Sequence, residues 1–258
     1  MARQRLGQHF LSGLSWRYRI LKSLPRDTRE TWIEIGAGHG EMTQLLAQEG
    51  RRVIAIETDT RLAEGLRANA PSWGNVEVVE GDVLQLDLEK IAAENFRVYG
   101  NLPYYITSPI LHHLFQYVDR LASIHIVIQL EVAERIAAAP GRRDYGYLST
   151  ICQFYTRPVI AFRIPPGAFR PPPRVTSALV HMTLPGEFAT LAVEDEKSFL
   201  EFIATCFGQK RKTLRNNLLE IMPDEQIQAA LAESGIRSDA RAEQLSLAQF
   251  AKLYDWLP

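Results

Sequence analysis

The chain has 258 residues and a formal net charge of −1, with 46% hydrophobic and 23% charged residues, a composition that excludes bulk disorder and allows a full hydrophobic core. No apolar run approaches the roughly 18 residues of a membrane span, and the N-terminal residues lack the apolar core of a secretory signal, so a cytoplasmic protein is expected. The two cysteines, Cys152 and Cys206, are too far apart for a zinc ribbon or a disulfide scaffold, which agrees with a reducing compartment.

Short β-branched runs alternate with helical patterns over the first two-thirds of the chain. Strands are predicted at residues 31–36, 52–57, 75–82, 96–101 and 123–131. Helical spacing of apolar residues occurs at 41–49, 60–69, 86–94 and 107–118. Because strands that alternate with helices pair in parallel and are covered on both faces, this order predicts a doubly wound α/β sheet.

The pattern changes after residue 145. Two further strands are predicted at 157–164 and 176–184, and they could add an antiparallel edge to the sheet. The segment between them is rich in proline, with Pro165, Pro166 and residues 171–173. A stiff interdomain linker is one interpretation, but the strand patterns on both sides favour a rigid loop that overhangs the sheet edge.

Only helical patterns follow residue 190. The candidate helices are 196–207, 210–221, 224–233 and 246–256. They predict a small all-helical domain at 188–258, after an α/β domain at 1–187.

The near-neutral charge conceals two basic segments. Residues 1–30 contain seven basic side chains against two acidic ones: Arg3, Arg5, Arg17, Arg19, Lys22, Arg26 and Arg29 against Asp27 and Glu30. Residues 205–219 contain Lys210, Arg211, Lys212 and Arg215 and no acidic residue. Such patches can bind a polyanion although the whole chain is near neutral, whereas the alternative is a solvated helix face.

The first predicted strand runs into a glycine-rich turn, Glu34–Gly40. Glycines let the backbone turn sharply and let a ligand approach it closely. The spacing is G-x-G-x-G, from Gly36 through Gly38 to Gly40, whereas the dinucleotide fingerprint is G-x-G-x-x-G. Glu34 would repel a pyrophosphate but not a cationic sulfonium. The motif therefore favours S-adenosylmethionine over a nicotinamide dinucleotide, and a nicotinamide oxidoreductase remains the alternative.

Acidic residues end the next two strands. Glu57 could accept both ribose hydroxyls of a nucleoside bound at the glycine turn. Asp82 could accept a hydrogen bond from an adenine amino group. Either could be an ordinary surface acid, but carboxylates at the ends of successive strands fit the crevice in which α/β sheets bind ligands.

The fourth strand ends in Asn101-Leu102-Pro103-Tyr104. An exocyclic amine of a base is a poor nucleophile because its lone pair is delocalised into the ring. The Asn101 side-chain oxygen and a main-chain carbonyl at Leu102 or Pro103 could accept both N–H bonds and so direct the lone pair at a methyl donor. Pro103 stiffens the segment, and Tyr104 offers the base a stacking face. The alternative is an ordinary turn.

In order and spacing, these motifs resemble those of the rRNA adenine N6,N6-dimethyltransferases, in particular the dimethyladenosine transferases of the bacterial small ribosomal subunit. The resemblance covers nearly the whole chain. Besides the motifs above, the matching segments are residues 8–11 (QHFL), 145–149 (YGYLS), 169–178 (FRPPPRVTSA), 209–218 (QKRKTLRNNL) and 241–243 (RAE). The chain departs from the family at His9 and Tyr105, where asparagine is usual or frequent.

The resemblance implies a Rossmann-like class I methyltransferase sheet, mostly parallel with one antiparallel edge strand, followed by the small helical domain. It implies S-adenosylmethionine as the cofactor. Independently of the resemblance, the histidines show no metal-ligand spacing, so no metal is expected. The implied cofactor contacts are His9, Leu11, Gly36, Gly38, Glu57, Asp82 and Asn101. Tyr104 and Phe169 would sandwich a flipped adenine, with Phe169 presented by a proline-rich surface loop.

The implied substrate is a pair of adjacent adenosines near the 3′ end of 16S rRNA, within a precursor of the small subunit, and each would receive two methyl groups. The implied phosphate contacts, on the predicted helix 210–221, are Lys210, Arg211, Lys212 and Arg215. A monomer is expected. The competing hypotheses are a large-subunit rRNA dimethylase and a non-catalytic assembly or transcription factor. Segments 169–178 and 209–218 favour the small-subunit enzyme, and the intact motif 101–104 favours catalysis.

Overall fold

A mixed β-sheet lies at the centre of this computed structural model, which describes residues 9–26, 30–209 and 212–257. The described strands are β1 (Phe10–Leu11), β2 (Thr31–Ile35), β3 (Val53–Glu57), β4 (Val76–Glu80), β5 (Phe96–Asn101), β6 (Leu121–Gln129), β7 (Arg157–Ile164), β8 (Phe169–Arg170) and β9 (Ser177–Thr183). The described α-helices are α1 (Leu14–Ser23), α2 (Glu41–Gln48), α3 (Thr60–Trp73), α4 (Leu88–Ile91), α5 (Thr107–Leu114), α6 (Leu130–Ile136), α7 (Tyr147–Tyr155), α8 (Glu196–Cys206), α9 (Leu214–Leu218), α10 (Asp224–Glu233) and α11 (Leu247–Tyr254).

The strand order of the central sheet is β4-β3-β2-β5-β6-β9-β7. β2 pairs in parallel with both β3 and β5, and the pairs β3–β4 and β5–β6 are parallel as well. β9 pairs antiparallel with β6, and β7 lies beyond β9 at the edge. The predicted mostly parallel α/β sheet with an antiparallel addition is confirmed. Because the chain builds outward from β2 in both directions, a crevice opens at the carboxyl ends of β2 and β5.

The continuous apolar runs of the first strands reflect burial on both faces. Every residue of β2 and of β3 is buried, as expected for parallel strands that are covered by helices on both sides. One buried cluster joins Ile20 of α1, Leu46 of α2 and Trp32 of β2 to Leu179 of β9. This packing holds the strand ends at fixed positions.

Several short elements have no counterpart in the sequence prediction. They are α1, α6, α7, β1 and β8. The N-terminal cap positions of α1 and α7 are Gly13 and Gly146, which supply no capping side chain, so these helices lack the usual start signal. β1 and β8 have two residues each and exist only by pairing with one another over a long sequence distance.

The chain divides into two compact units. They are Met1–Ala133 with Pro158–Leu184, and Glu134–Arg157 with Pro185–Pro258. The predicted domains, 1–187 and 188–258, differ from this division because α7 belongs to the second unit. There the Phe154 ring of α7 lies 4.7 Å from Phe188 and 5.6 Å from Phe199, measured between centroids. These contacts join residues that are distant in sequence, so a local pattern does not reveal them.

The predicted helix 210–221 is much shorter in the structure. α9 begins after Thr213, whose hydroxyl accepts the Asn216 N–H at 3.4 Å. A threonine that caps a helix excludes the residues before it from the helix. Lys212 therefore precedes α9, and Lys210 and Arg211 lie outside the described residues.

Within residues 9–26, 30–209 and 212–257, no helix is both long enough and apolar enough to cross a bilayer.

A buried polar chain crosses β5, β6 and β9. Arg97 Nη1 donates to Ser123 Oγ at 2.8 Å, Ser123 Oγ lies 2.8 Å from His125 Nε2, and His125 Nδ1 lies 2.7 Å from His181 Nδ1. The arrangement that gives each of these three contacts one donor and one acceptor has Ser123 accepting from Arg97 and donating to His125 Nε2. His125 then carries its proton on Nδ1 and donates it to His181. Both imidazoles are therefore neutral.

Burial, followed by the nearby positive charges, lowers the pKa of His125 to about 2, and burial lowers the pKa of His181 as well. An unfolded histidine takes up a proton near pH 6.5, about the ordinary pKa of the side chain. Below that pH the unfolded chain binds more protons than the folded protein. The stabilisation is therefore complete above about pH 6.5 and is lost progressively as the pH falls.

We expect the free energy of unfolding to fall by up to about 1.4 kcal/mol per histidine for each pH unit below about 6.5. His125→Gln keeps a donor and an acceptor but does not titrate, so it should flatten this slope. Urea unfolding at several pH values between about 7.5 and 5 measures the effect, with His39→Gln as a control outside the polar chain. An unchanged slope in His125→Gln would contradict the assignment.

Candidate active site

The carboxyl ends of β2, β3, β4 and β5 border an open cleft of about 780 Å³, a volume that includes solvent at its mouth. We call it the strand-end cleft. The sequence-predicted residues that line it are His9, Gly36, Gly38, Glu57, Asp82, Asn101, Leu102, Pro103 and Tyr104. The lining residues that were not predicted are Phe10, Ile35, Ile56, Thr58, Gly81, Val83, Ile106 and Ile110. The sequence thus predicted most of the polar lining residues, with the exception of Thr58, and missed most of the apolar ones. Ile35 and Ile56 were missed although they directly precede Gly36 and Glu57.

The glycine turn after β2 provides an open stretch of main chain. Gly36 and Gly38 have left-handed φ angles of 72° and 59°, which side-chain-bearing residues rarely adopt. Apart from Gly36 itself and its two chain neighbours, no described residue has an atom within 4 Å of the position that a Gly36 β-carbon would take, whereas one at Gly38 would meet the Phe10 ring at 3.0 Å. The Gly36 and Ala37 N–H groups donate to the Ile56 carbonyl and tie the turn to β3. This cradle fits a ligand that packs directly on the backbone.

Glu57 holds the same turn from the end of β3. Its side chain is buried, its Oε2 accepts the Gly38 N–H at 2.8 Å, and its Oε1 accepts the Asp59 N–H at 2.9 Å. Each carboxylate oxygen can accept two hydrogen bonds. Glu57 can therefore hold the turn and still accept ribose hydroxyls, a contact that stays a prediction.

Asp82 begins a 3₁₀ turn, Val83–Gln85, directly after β4. Its Oδ1 accepts the Leu84 N–H at 3.0 Å. Its Oδ2 has no hydrogen-bond partner within the described part of the chain, so that oxygen can accept from an amino group in the cleft. The adenine contact of Asp82 stays a prediction.

The environment of Glu34 differs from the sequence-based expectation, in which a charged Glu34 carboxylate faces the ligand. The side chain is only 3% exposed, and the Thr43 hydroxyl donates to its Oε2 at 2.6 Å. Burial raises the pKa of Glu34 to about 8. At neutral pH the carboxyl is therefore largely protonated in the ligand-free protein, and Glu34 does not line the strand-end cleft. A preference for a cationic ligand cannot rest on a full negative charge at this residue.

A hydrogen bond orients the Asn101 amide at the end of β5. Asn101 Nδ2 donates to the main-chain carbonyl of His9 at 2.8 Å, which leaves Oδ1 as the available acceptor. The Pro103 carbonyl accepts the Ile106 N–H at 3.2 Å, whereas no backbone N–H of the described residues donates to the Leu102 carbonyl. The geometry therefore favours Leu102 over Pro103 as the second acceptor for an amine.

Tyr104 is fixed at the cleft by a partner from another strand. Its hydroxyl lies 2.9 Å from Ser177 Oγ at the start of β9. The side chain is half-buried, and burial raises the pKa of its phenol, so the ring stays neutral. The neighbouring Tyr105 is 73% exposed and does not line the cleft. The role of Ser177 was missed because it depends on how β9 pairs with β6.

His9 contributes its main chain as well as its ring. Its Nδ1 lies 2.7 Å from the Pro171 carbonyl, an acceptor, so Nδ1 carries the proton and donates it. The ring centroid lies 5.8 Å from that of Tyr104. Because the bond from Asn101 is accepted by the His9 main chain, histidine in place of the usual asparagine leaves that bond intact.

Leu11 and Phe169 do not line the strand-end cleft. They face one another in the β1–β8 pair and are 6% and 2% exposed, inside the cluster that contains Ile20 and Leu46. The expectation that Phe169 lies on a surface loop is therefore wrong, since its pairing with β1 buries the ring. In this structure Phe169 has no free face on which an adenine could stack against Tyr104.

The basic run is only partly available for phosphate contacts. The Arg215 guanidinium forms two hydrogen bonds with the Asp224 carboxylate, at 2.6 and 2.7 Å. Such a bidentate pair holds the guanidinium in place. Lys212 is exposed, whereas Lys210 and Arg211 lie outside the described residues. The RNA contacts of all four residues stay predictions, and Lys212 is the described member with no ion pair within the described part of the chain.

The fold is similar to those of known RNA methyltransferases. The crystal structure of the 23S rRNA methyltransferase ErmE aligns with a TM-score of 0.75 at 25% identity, covering 96% of this chain and 99% of that one. A dimethyladenosine transferase from Plasmodium falciparum aligns with a TM-score of 0.80 at 23% identity, covering 95% and 96%. Among the described residues no group of three or more His, Cys, Asp or Glu could hold a metal ion. The fold and the cleft define a class I methyltransferase that uses S-adenosylmethionine.

Comparison of sequences identifies the family. A family model described as ribosomal RNA adenine dimethylase matches residues 1–258. The chain is 40% identical over 267 residues to "Ribosomal RNA small subunit methyltransferase A" of Koribacter versatilis, covering 98% of this chain and 93% of that protein. It is 42% identical over 253 residues to the protein of the same name from Acidobacterium capsulatum, covering 97% and 89%. The chain belongs to the ribosomal RNA adenine dimethylase family.

Because Phe169 is a core residue, we expect Phe169→Ala to lower the free energy of unfolding by about 3–5 kcal/mol. Phe169→Leu, which keeps most of the apolar volume, should cost less and leave the rate of methyl transfer little changed. Tyr104→Leu is the comparison variant, because loss of a stacking face costs about 1–3 kcal/mol in substrate binding. Thermal unfolding and single-turnover methylation measure the two effects. A fully folded Phe169→Leu protein with the defect of Tyr104→Leu would show that the ring reaches the substrate.

Proposed function

We propose that the chain transfers methyl groups from S-adenosylmethionine to N6 of two adjacent adenosines near the 3′ end of 16S rRNA. Each adenosine receives two methyl groups, and the modification contributes to small-subunit biogenesis. The observation that carries the proposal is the pair of acceptors beside the glycine turn, Asn101 Oδ1 and the Leu102 carbonyl. The relatives at 40% and 42% identity, which are named as small-subunit methyltransferases, support the choice of RNA.

The pair of acceptors addresses the low nucleophilicity of an adenine amine. S-adenosylmethionine, when bound, supplies a methyl group attached to a positively charged sulfur. Asn101 Oδ1 and the Leu102 carbonyl accept the amine N–H bonds, and they stabilise the positive charge that develops on nitrogen. Pro103 restricts the backbone between them and Tyr104, so the acceptors keep their orientation. No strong base is needed, because the nitrogen becomes acidic only once it is methylated.

The target adenine must leave its stack to enter the cleft. Tyr104 offers the stacking face, and its hydrogen bond to Ser177 limits rotation of the ring. Glu57 and Asp82 bind the ribose and the adenine of S-adenosylmethionine at the opposite wall of the cleft. His9, Leu11, Gly36 and Gly38 complete its binding site.

The RNA partner in this proposal is a precursor of the small subunit, bound by a monomer in the cytoplasm. Lys210, Arg211, Lys212 and Arg215 contact its phosphates, which position the RNA without reading its sequence. Recognition of the target loop by shape and splayed bases supplies the specificity.

Large-subunit RNA is the alternative substrate, favoured by the likeness to a 23S rRNA methyltransferase. The test is incubation of the protein with unmethylated small subunits and, separately, with unmethylated large subunits, using isotopically labelled S-adenosylmethionine. Mass analysis of rRNA fragments should place four labelled methyl groups on two adjacent adenosines near the 3′ end of the small-subunit RNA. Label confined to large-subunit RNA would overturn the choice of substrate.

We expect Asn101→Ala to lower the rate of methyl transfer by roughly 10²–10³-fold, the usual effect of removing one preorganised hydrogen-bonding group. Binding to small subunits should remain close to that of the wild type, because the target amine is the one RNA group that Asn101 contacts in this proposal. Single-turnover methylation and filter binding measure the two properties. Tyr105→Ala is the matched control, since this neighbour is exposed and lies outside the cleft. Retained turnover in Asn101→Ala would refute the role of this residue.

RNA affinity should depend strongly on salt, because phosphate contacts release counterions. Lys212→Gln should weaken binding at low salt and reduce the slope of log affinity against log salt by about one. Lys90→Gln is the control, because Lys90 pairs with Asp87 at 2.9 Å. Titrations at increasing salt concentration measure the slopes, and equal slopes for wild type and Lys212→Gln would exclude Lys212 from the RNA interface.

A further inference from the structure

A second, smaller cavity lies beside the strand-end cleft, within the same unit. Arg17, Glu34 and Tyr99 are among the residues that line it. It shares Gly36 and Asn101, among others, with the strand-end cleft. A ligand that lies along the glycine turn can therefore occupy both spaces. We call this smaller space the side cavity.

Two buried donors in the side cavity lack acceptors. Tyr99 is 1% exposed, and its hydroxyl has no hydrogen-bond partner among the described residues. The Arg17 Nε is buried and equally without a partner there. Buried polar groups in folded proteins are almost always hydrogen-bonded, and leaving a donor unpaired is unfavourable. Two unpaired donors that line one cavity point to an acceptor group supplied by a ligand.

The two donors are held in place for such an acceptor. Arg17 Nη2 donates to the Ser12 carbonyl at 2.9 Å, which restricts the guanidinium. Burial, together with Glu34, raises the pKa of Tyr99, so the phenol keeps its proton and can donate. A cation and a neutral hydroxyl donor together suit a carboxylate.

We propose that Arg17 and Tyr99 bind the carboxylate of the amino-acid end of S-adenosylmethionine. The inference rests on the proposed function for the identity of the ligand, and it adds two residues to its binding site. Arg17 belongs to the basic N-terminal segment, which the sequence predicts to bind a polyanion. The inference gives Arg17 a different role, in binding the cofactor. Arg17 and Tyr99 therefore raise the affinity for S-adenosylmethionine and take no part in the transfer of the methyl group.

The test compares S-adenosylmethionine with decarboxylated S-adenosylmethionine, which lacks only the carboxylate, by titration calorimetry without RNA. The variants are Tyr99→Phe, which removes a single oxygen, and Arg17→Met, which keeps the apolar stem. Each should weaken binding of S-adenosylmethionine by about tenfold or more, the usual effect of losing a hydrogen bond to a charged group. Binding of the decarboxylated analogue should stay unchanged. Arg19→Met, on the same helix but stacked on Phe162 at 4.2 Å, is the matched control and should bind both ligands as the wild type does.

Thermal unfolding without ligand provides a second measurement. Tyr99→Phe should be at least as stable as the wild type, because the lost hydroxyl has no partner in the described structure. Equal loss of affinity for both ligands, or a wild-type protein that does not distinguish them, would overturn the inference while leaving the proposed function in place. A wild-type protein that binds neither ligand would contradict the proposed function itself.

Discussion

The hydrogen bond from the Asn101 amide to the His9 main-chain carbonyl determines which groups the cleft presents to a substrate. It joins residues 92 positions apart in sequence. An amide can present either its oxygen or its nitrogen, and the two choices have opposite chemical consequences for an incoming amine. By occupying the nitrogen, the His9 carbonyl leaves the oxygen for the substrate. The hydrogen-bonding character of the β5 end therefore depends on a segment that is remote from it in sequence.

The position of that segment depends in turn on the β1–β8 pair. Leu11 and Phe169 bury their side chains opposite one another, and the His9 ring bonds to the Pro171 carbonyl just beyond them. The buried Leu11 and Phe169 side chains stabilise the position of this segment, and the hydrogen bonds of His9 fix its orientation. Phe169, to which the family resemblance assigns contact with the base, is therefore a buried support for this segment, whereas Leu11 also lines the side cavity.

The apolar runs of the sequence were sufficient to predict the main sheet, and the polar residues at the strand ends were sufficient to predict most of the polar groups of the cleft. β2 and β3 are buried on both faces, so their apolar runs are unambiguous, and the acids Glu57 and Asp82 stand at strand ends where topology brings them together. What escaped prediction depends on contacts between distant segments. The burial of Phe169 follows from pairing with β1, and the altered charge state of Glu34 follows from burial. Neither leaves a periodic signal in the sequence.

The placement of Ser177 in the sheet has a consequence for the ring of Tyr104. β9 pairs with β6 so that Ser177 stands opposite Gln129, and in that register its hydroxyl reaches Tyr104. Side chains alternate between the two faces of a strand, so a slip of one residue would turn this serine away and release the phenol. The alignment of two antiparallel strands, a property of the scaffold, thereby sets the orientation of an aromatic ring that lines the strand-end cleft.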